Sequence, residues 1–165
     1  MKPITVLTGP AASGKNTIGH IYATQYCERC AVIDVDLVRG MLRQPHAAPW
    51  EAEGLLQHRL GVRHACMLAQ SFTEEGYEVA ILDVLWADLG QLYRHQLRAS
   101  PLRIVRLMPA WKAALERLHE RPHTITDDEA RWVYRQQALL TDFDYNIDNT
   151  SRSAESVARW LAELP

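Results

Sequence analysis

A glycine-punctuated turn near the N-terminus constrains this chain more than any other stretch. It reads Gly9-Pro10-Ala11-Ala12-Ser13-Gly14-Lys15-Asn16-Thr17. The β-branched run Ile4-Thr5-Val6-Leu7 precedes it, and apolar residues at Ile18, Ile21, Tyr22 and Tyr26 follow. A strand, a tight turn and a helix start therefore succeed one another directly. Gly9 and Gly14 let the backbone curl so that successive N–H groups face a single anion, with Ala11, Ala12 and Ser13 completing the cradle. The helix N-terminus adds partial positive charge, and Lys15 adds a full one that reaches the outer phosphates of a nucleotide. Asn16 stands where a Ser or Thr hydroxyl would ligate Mg²⁺. Its amide oxygen is a hard ligand of suitable kind, and Thr17 offers a neighbouring hydroxyl, so both are candidate metal ligands.

Beyond this turn, short apolar runs alternate with longer helical stretches, which implies a parallel sheet with crossover helices. Strands are expected at Ile4–Leu7, Ala31–Val35, Val79–Val84, Arg103–Leu107 and Tyr145–Ile147. Helices are expected at Asp36–Leu42, Glu51–Phe72, Asp88–Leu97, Ala110–His119, Thr126 to about Leu140, and from Ser153 onward. In the long helix Leu55, Val62, Ala65, Ala69 and Phe72 share one side, and Glu74-Glu75-Gly76 ends it. Thr126-Asp127-Asp128-Glu129 has the form of a capping box.

A length of 165 residues suits one domain. A net charge of −2 gives no general reason to bind nucleic acid or an anionic membrane. No apolar run approaches a membrane span, and the N-terminal run leads straight into the glycine turn rather than resembling a leader peptide, so the cytoplasm is the expected compartment. Cys27-Glu28-Arg29-Cys30 has no second pair to complete a zinc site and reads as incidental.

The remaining chemistry gathers where strands end, which is where open α/β sheets bind ligands. Asp34 and Asp36 share a strand face at the end of the second strand. One can sit in the Mg²⁺ shell while the other accepts a proton from an attacking hydroxyl. Arg39 follows Asp36 by one helical turn and can grip a polar or anionic acceptor. Asp83 ends an apolar strand and is a further Mg²⁺ candidate. Trp86 just beyond it, and Trp50 in the loop Pro45-His46-Ala47-Ala48-Pro49-Trp50, can wall a second substrate. Arg117 and Arg121 precede Pro122 and can neutralise a transferring phosphoryl group from a small lid over residues 117–130. His119-Glu120-Arg121-Pro122-His123 spells a zinc-protease pattern, but Pro122 breaks the continuous helix that pattern needs.

The Gly9–Thr17 turn matches G-x-x-x-x-G-K-[ST] except at Asn16, and so looks like a Walker A loop. With Asp34, Asp36, Asp83, the Arg117/Arg121 segment and Ile147-Asp148-Asn149-Thr150, the chain resembles the small P-loop kinases: shikimate and gluconate kinases, chloramphenicol phosphotransferase and nucleoside monophosphate kinases. The resemblance implies a three-layer α/β fold with strand order 2-3-1-4-5 and the loop on the central strand. Asp34-Val35-Asp36 is similar to the D-x-D of shikimate kinase, implying an acceptor-binding or general-base role for Asp36. Asp36-Leu37-Val38-Arg39 is similar to the D-x-x-R of polynucleotide kinases, implying that Arg39 contacts the acceptor. The stretch from Asn149 to Ser151 falls where such kinases wrap the adenine base. The absence of a Gly-rich acceptor motif after the third strand argues against shikimate itself. The expected activity is transfer of the γ-phosphate of ATP, with Mg²⁺, to the hydroxyl of a small molecule. A nucleotide or polynucleotide 5′-kinase, and an ATP-binding module without efficient transfer, are the alternatives. Monomer and homodimer both remain open.

Overall fold

A computed structural model describes residues 2–165. Strand β1 (Ile4–Thr8) is buried along its whole length, as its unbroken apolar run demands of a central parallel strand. It pairs in parallel with β3 (Glu78–Leu82) on one side and β4 (Leu102–Leu107) on the other. Strand β2 (Cys30–Asp34) flanks β3, and β5 (Tyr145–Ile147) flanks β4. The order is β2-β3-β1-β4-β5, the expected one. Leu7 lies opposite Leu82, and Leu82 opposite Asp34, so the turn after β1 and the acid at the end of β2 emerge at one sheet edge.

Helices cover both faces and make three layers. The helices α3 (Ala52–Glu74) and α4 (Leu89–Gln96) bury Val62, Ala65, Ala69, Leu89 and Tyr93 against Ile4, Val6, Ile81 and Ile104. On the other face, α1 (Lys15–Gln25) and α7 (Ala154–Ala162) bury Ile18, Tyr22, Val157 and Leu161 against Leu7, Leu82 and Val105. A Cβ at Gly19 would lie 2.5 Å from Leu82 Cδ2, so glycine there lets α1 approach the sheet.

Several boundaries shift for identifiable reasons. The second strand ends at Asp34 because its side chain caps α2 (Val35–Arg39) by accepting from Asp36 N at 2.9 Å. The third strand ends at Leu82, before Asp83 and Val84. Phe72 is 37 % exposed and stacks edge-on against Tyr77 instead of joining the core. The capping box of α6 (Asp127–Leu139) forms as expected between Thr126 and Glu129. The helix α5 (Trp111–His119) ends before Pro122, so no continuous helix carries both His119 and His123. No helix among the described residues is long and apolar enough to cross a membrane.

Candidate active site

Two residues of the loop adopt left-handed backbone: Gly14 at φ 87° and Ala12 at φ 58°. The alternation curls the amides of this segment inward, an anion-binding arrangement that a non-glycine residue adopts only at some cost in strain. Gly9 is needed for a different reason from the one expected. A Cβ there would stand 2.6 Å from Leu107 O and from Ser13 Oγ, so glycine permits close approach to β4. A small depression is lined by Ala12, Ser13, Gly14, Lys15, Asn16, Thr17 and Arg121.

Beside it lies a cavity of about 550 Å³. Its walls include Lys15, Asp36, Arg39, Trp50, Trp86 and Arg121, which brings most of the sequence candidates together. Lys15 and Arg121 line both spaces. Burial pushes the Lys15 ammonium pKa below its ordinary value, with Asp36, Asp34 and Asp83 opposing that shift and Arg121 adding to it.

Asp34 joins the two spaces. Its Oδ1 accepts from Asp36 N, and its Oδ2 accepts from Asn16 Nδ2 at 2.9 Å. The second bond uses the donor end of the Asn16 amide and leaves its oxygen for a cation. Among the described residues no group of three His, Cys, Asp or Glu side chains could hold a metal. That suits Mg²⁺ in a phosphate site, where one or two protein oxygens suffice beside phosphates and water. Asn16, Thr17 and Asp34 fit that role.

Asp36 is 69 % exposed in its side chain and stands 3.7 Å from Arg39 Nη1. Arg39 itself is only 7 % exposed, and its Nε has no partner. Its stem lies over Gly61, where a Cβ would come within 2.6 Å of Arg39 Cγ.

Three candidates are held by other parts of the fold. Asp83 is 2 % exposed and lines neither the depression nor the cavity. Its Oδ1 is bonded to His58 Nε2 at 2.7 Å and Val84 N at 2.8 Å, and its Oδ2 accepts from Tyr93 Oη at 2.8 Å. Burial alone pushes its pKa up, but the electrostatic pull of His58 and the hydrogen bonds from His58, Tyr93 and Val84 outweigh burial and hold the carboxyl below its ordinary range. Arg117 does not reach the cavity, because its Nη2 donates to the carbonyls of Asn149 and Thr150 at 2.9 and 2.7 Å. Asn149 is buried and donates from Nδ2 to Ser13 O at 2.8 Å, so it braces the Gly9–Thr17 loop.

Sequence reasoning missed His58, Glu129 and Trp132, all of which line the cavity. His58 had a signal: Leu55, His58, Val62, Ala65 and Ala69 form one stripe at helical spacing on the sheet-facing side of α3. Its Nδ1 accepts from Trp86 Nε1 at 3.1 Å, so the proton shared with Asp83 resides on Nε2.

No family model matches the chain, and no curated protein sequence matches it. Solved structures match it throughout. A sugar kinase from Janibacter sp. HTCC2649 superposes with a TM-score of 0.74 at 14 % identity, over 98 % of this chain and 92 % of that one. The tunicamycin resistance protein of Deinococcus radiodurans gives 0.71 at 16 %, over 98 % and 94 %. A gluconokinase from Sinorhizobium meliloti 1021 gives 0.69 at 17 %, over 95 % and 87 %. At these identities the likeness shows the fold alone: a three-layer α/β domain with the strand order β2-β3-β1-β4-β5.

Proposed function

We propose that this chain is an ATP-dependent phosphotransferase that moves the γ-phosphate of ATP to a hydroxyl of a small molecule. One observation carries the reading. A phosphate-binding depression and an acceptor-sized cavity adjoin, and Lys15 and Arg121 line both. A group transferred between the two spaces would be flanked by two cations, which is the electrostatic requirement of phosphoryl transfer.

In this reading the loop amides and Lys15 hold the phosphates. Asp36 orients the acceptor hydroxyl and takes its proton. The acceptor oxygen forms the new O–P bond as the bond from γ-phosphorus to the bridging oxygen breaks, and that electron pair leaves with ADP. Arg121 neutralises charge on the transferring group from the segment between α5 and α6. Mg²⁺, when bound, supplies charge neutralisation at the phosphates, and Asn16, Thr17 and Asp34 would hold it.

The reading is tested by ADP release with MgATP across pooled hydroxyl compounds, with Lys15→Ala beside it. A pool that raises ADP release in the parent but not in the variant supports transfer. ATP binding without turnover on any pool points to a nucleotide-binding module, and absence of ATP binding overturns the phosphate-loop reading. Arg121→Gln is expected to lower kcat about 10²-fold with little change in ATP affinity, the pattern for a group acting on the transition state. An unchanged kcat removes Arg121 from the reaction. Asn16→Ser is expected to lower the Mg²⁺ concentration needed for half-maximal activity several-fold; a metal titration that does not move places Asn16 away from the cation.

A further inference from the structure

Resting on the phosphotransfer reading, we propose that the acceptor is an uncharged alcohol bearing a flat ring, of nucleoside size or larger, and not a small sugar acid. The first argument is size and lining. The cavity of about 550 Å³ lies within the range of drug-sized ligand sites and exceeds what a six-carbon acid fills. Three separate elements each contribute an indole to it: Trp50 from the loop before α3, Trp86 from the segment after β3, and Trp132 from α6. Trp132 sits edge-on to both others, with ring centroids 5.3 Å from Trp86 and 6.0 Å from Trp50, at interplanar angles of 72° and 74°. Trp50 remains 43 % exposed, leaving ring surface for a ligand to cover. Indoles at such angles offer a face and an edge to an incoming ring.

The second argument is charge. Apart from Lys15 and Arg121, which are shared with the phosphate depression, Arg39 is the only Lys or Arg among the described residues lining the cavity. Asp36 and Glu129 line it too, and Asp36 already stands 3.7 Å from that guanidinium. His58 is engaged at both ring nitrogens, and His123 Nδ1 lies against Arg121 O. His46 also lines the cavity, and beyond Arg39 the lining offers an acceptor carboxylate or phosphate no further lysine or arginine. Arg39 is more than nine-tenths buried with Nε unpartnered, which asks for a hydrogen-bond acceptor on the ligand.

The third argument is orientation. Trp86 is fixed by the chain Trp86 Nε1–His58–Asp83–Tyr93, at 3.1, 2.7 and 2.8 Å. A fixed indole selects for a flat ligand face because little ordering remains to be done on binding.

The test compares kcat/KM with MgATP within matched pairs: thymidine against thymidine 5′-monophosphate, and 1-phenylethane-1,2-diol against glycerol, with D-gluconate as the sugar acid. Binding of each is read independently by quenching of tryptophan fluorescence. The uncharged ring-bearing member of each pair is expected to be favoured at least tenfold. Trp132→Leu is expected to cost these compounds at least tenfold, mainly in KM, while ATP affinity holds within twofold; Trp132→Phe, which keeps a ring, is expected to recover most of the loss. Lys15-dependent turnover that favours gluconate, glycerol or the monophosphate overturns this inference and leaves the phosphotransfer reading intact. ATP binding with neither turnover nor quenching by any ring-bearing probe overturns it as well. Failure to bind ATP at all removes the phosphotransfer reading and this inference with it.

Discussion

Lys15→Ala is expected to lower kcat/KM with MgATP by about 10³-fold, read as ADP release at saturating acceptor. The size of the effect follows from placement. The lysine lines both the phosphate depression and the adjoining cavity from the first turn of α1, and the other cation common to the two, Arg121, comes from the exposed span between α5 and α6. Its pKa, lowered by burial, gives the expectation a pH arm. A lysine with a lowered pKa loses its positive charge earlier as pH rises. ATP affinity of the parent is therefore expected to decline on the alkaline side beginning below about 10.4, the ordinary lysine value. That decline is expected to be absent in Lys15→Ala. A variant that retains parental kcat/KM, or that keeps the same alkaline limb, removes Lys15 from the site.

The second large effect concerns stability. Asp83→Ala leaves His58 Nε2, Tyr93 Oη and Val84 N without their acceptor in a buried space. The expected loss is about 3–5 kcal/mol, since each buried donor left unsatisfied costs about 1–3 kcal/mol. It is measured as the shift of the urea unfolding midpoint at constant slope. Asp83→Asn keeps the shape and one acceptor, and a smaller loss of about 1–3 kcal/mol is expected. The pH dependence has a definite sign. The folded carboxyl titrates below its unfolded value, so its contribution is fully present above the unfolded pKa of about 3.9 and is lost as pH falls through the lower folded pKa. Asp83→Asn is expected to flatten that acid limb. An unchanged midpoint in Asp83→Ala shows that the network does not stabilise the fold.

The framework was legible because its signals are local. An apolar run followed by a glycine turn and an amphipathic helix specifies a strand, a loop and a crossover, and repetition of that pattern specifies a parallel sheet. The capping box at Thr126 and the stop at Gly76 were equally readable, since each depends on a few adjacent residues. Partner choice across the fold was not. Asp83 directly follows its strand, yet its oxygens are bonded to a histidine and a tyrosine on two different helices. Arg117 was recognisable as a cation but not as one whose carbonyl partners lie on the loop after β5. Trp132 belongs to a helix that packs by tertiary contact, and nothing in its own segment distinguishes a cavity wall from an ordinary packed indole.

Asp34 has a consequence for how the molecule moves. A single carboxylate fastens the first turn of α1, through Asn16, to the first turn of α2, through Asp36 N. The loop that opens α1 and the turn that carries Asp36 are thus tied together through one side chain. Whatever closure accompanies a turnover is left to the exposed span between α5 and α6 that carries Arg121. The spacing between that loop and Asp36 is therefore held by a carboxylate of the chain itself, with no ligand needed to set it.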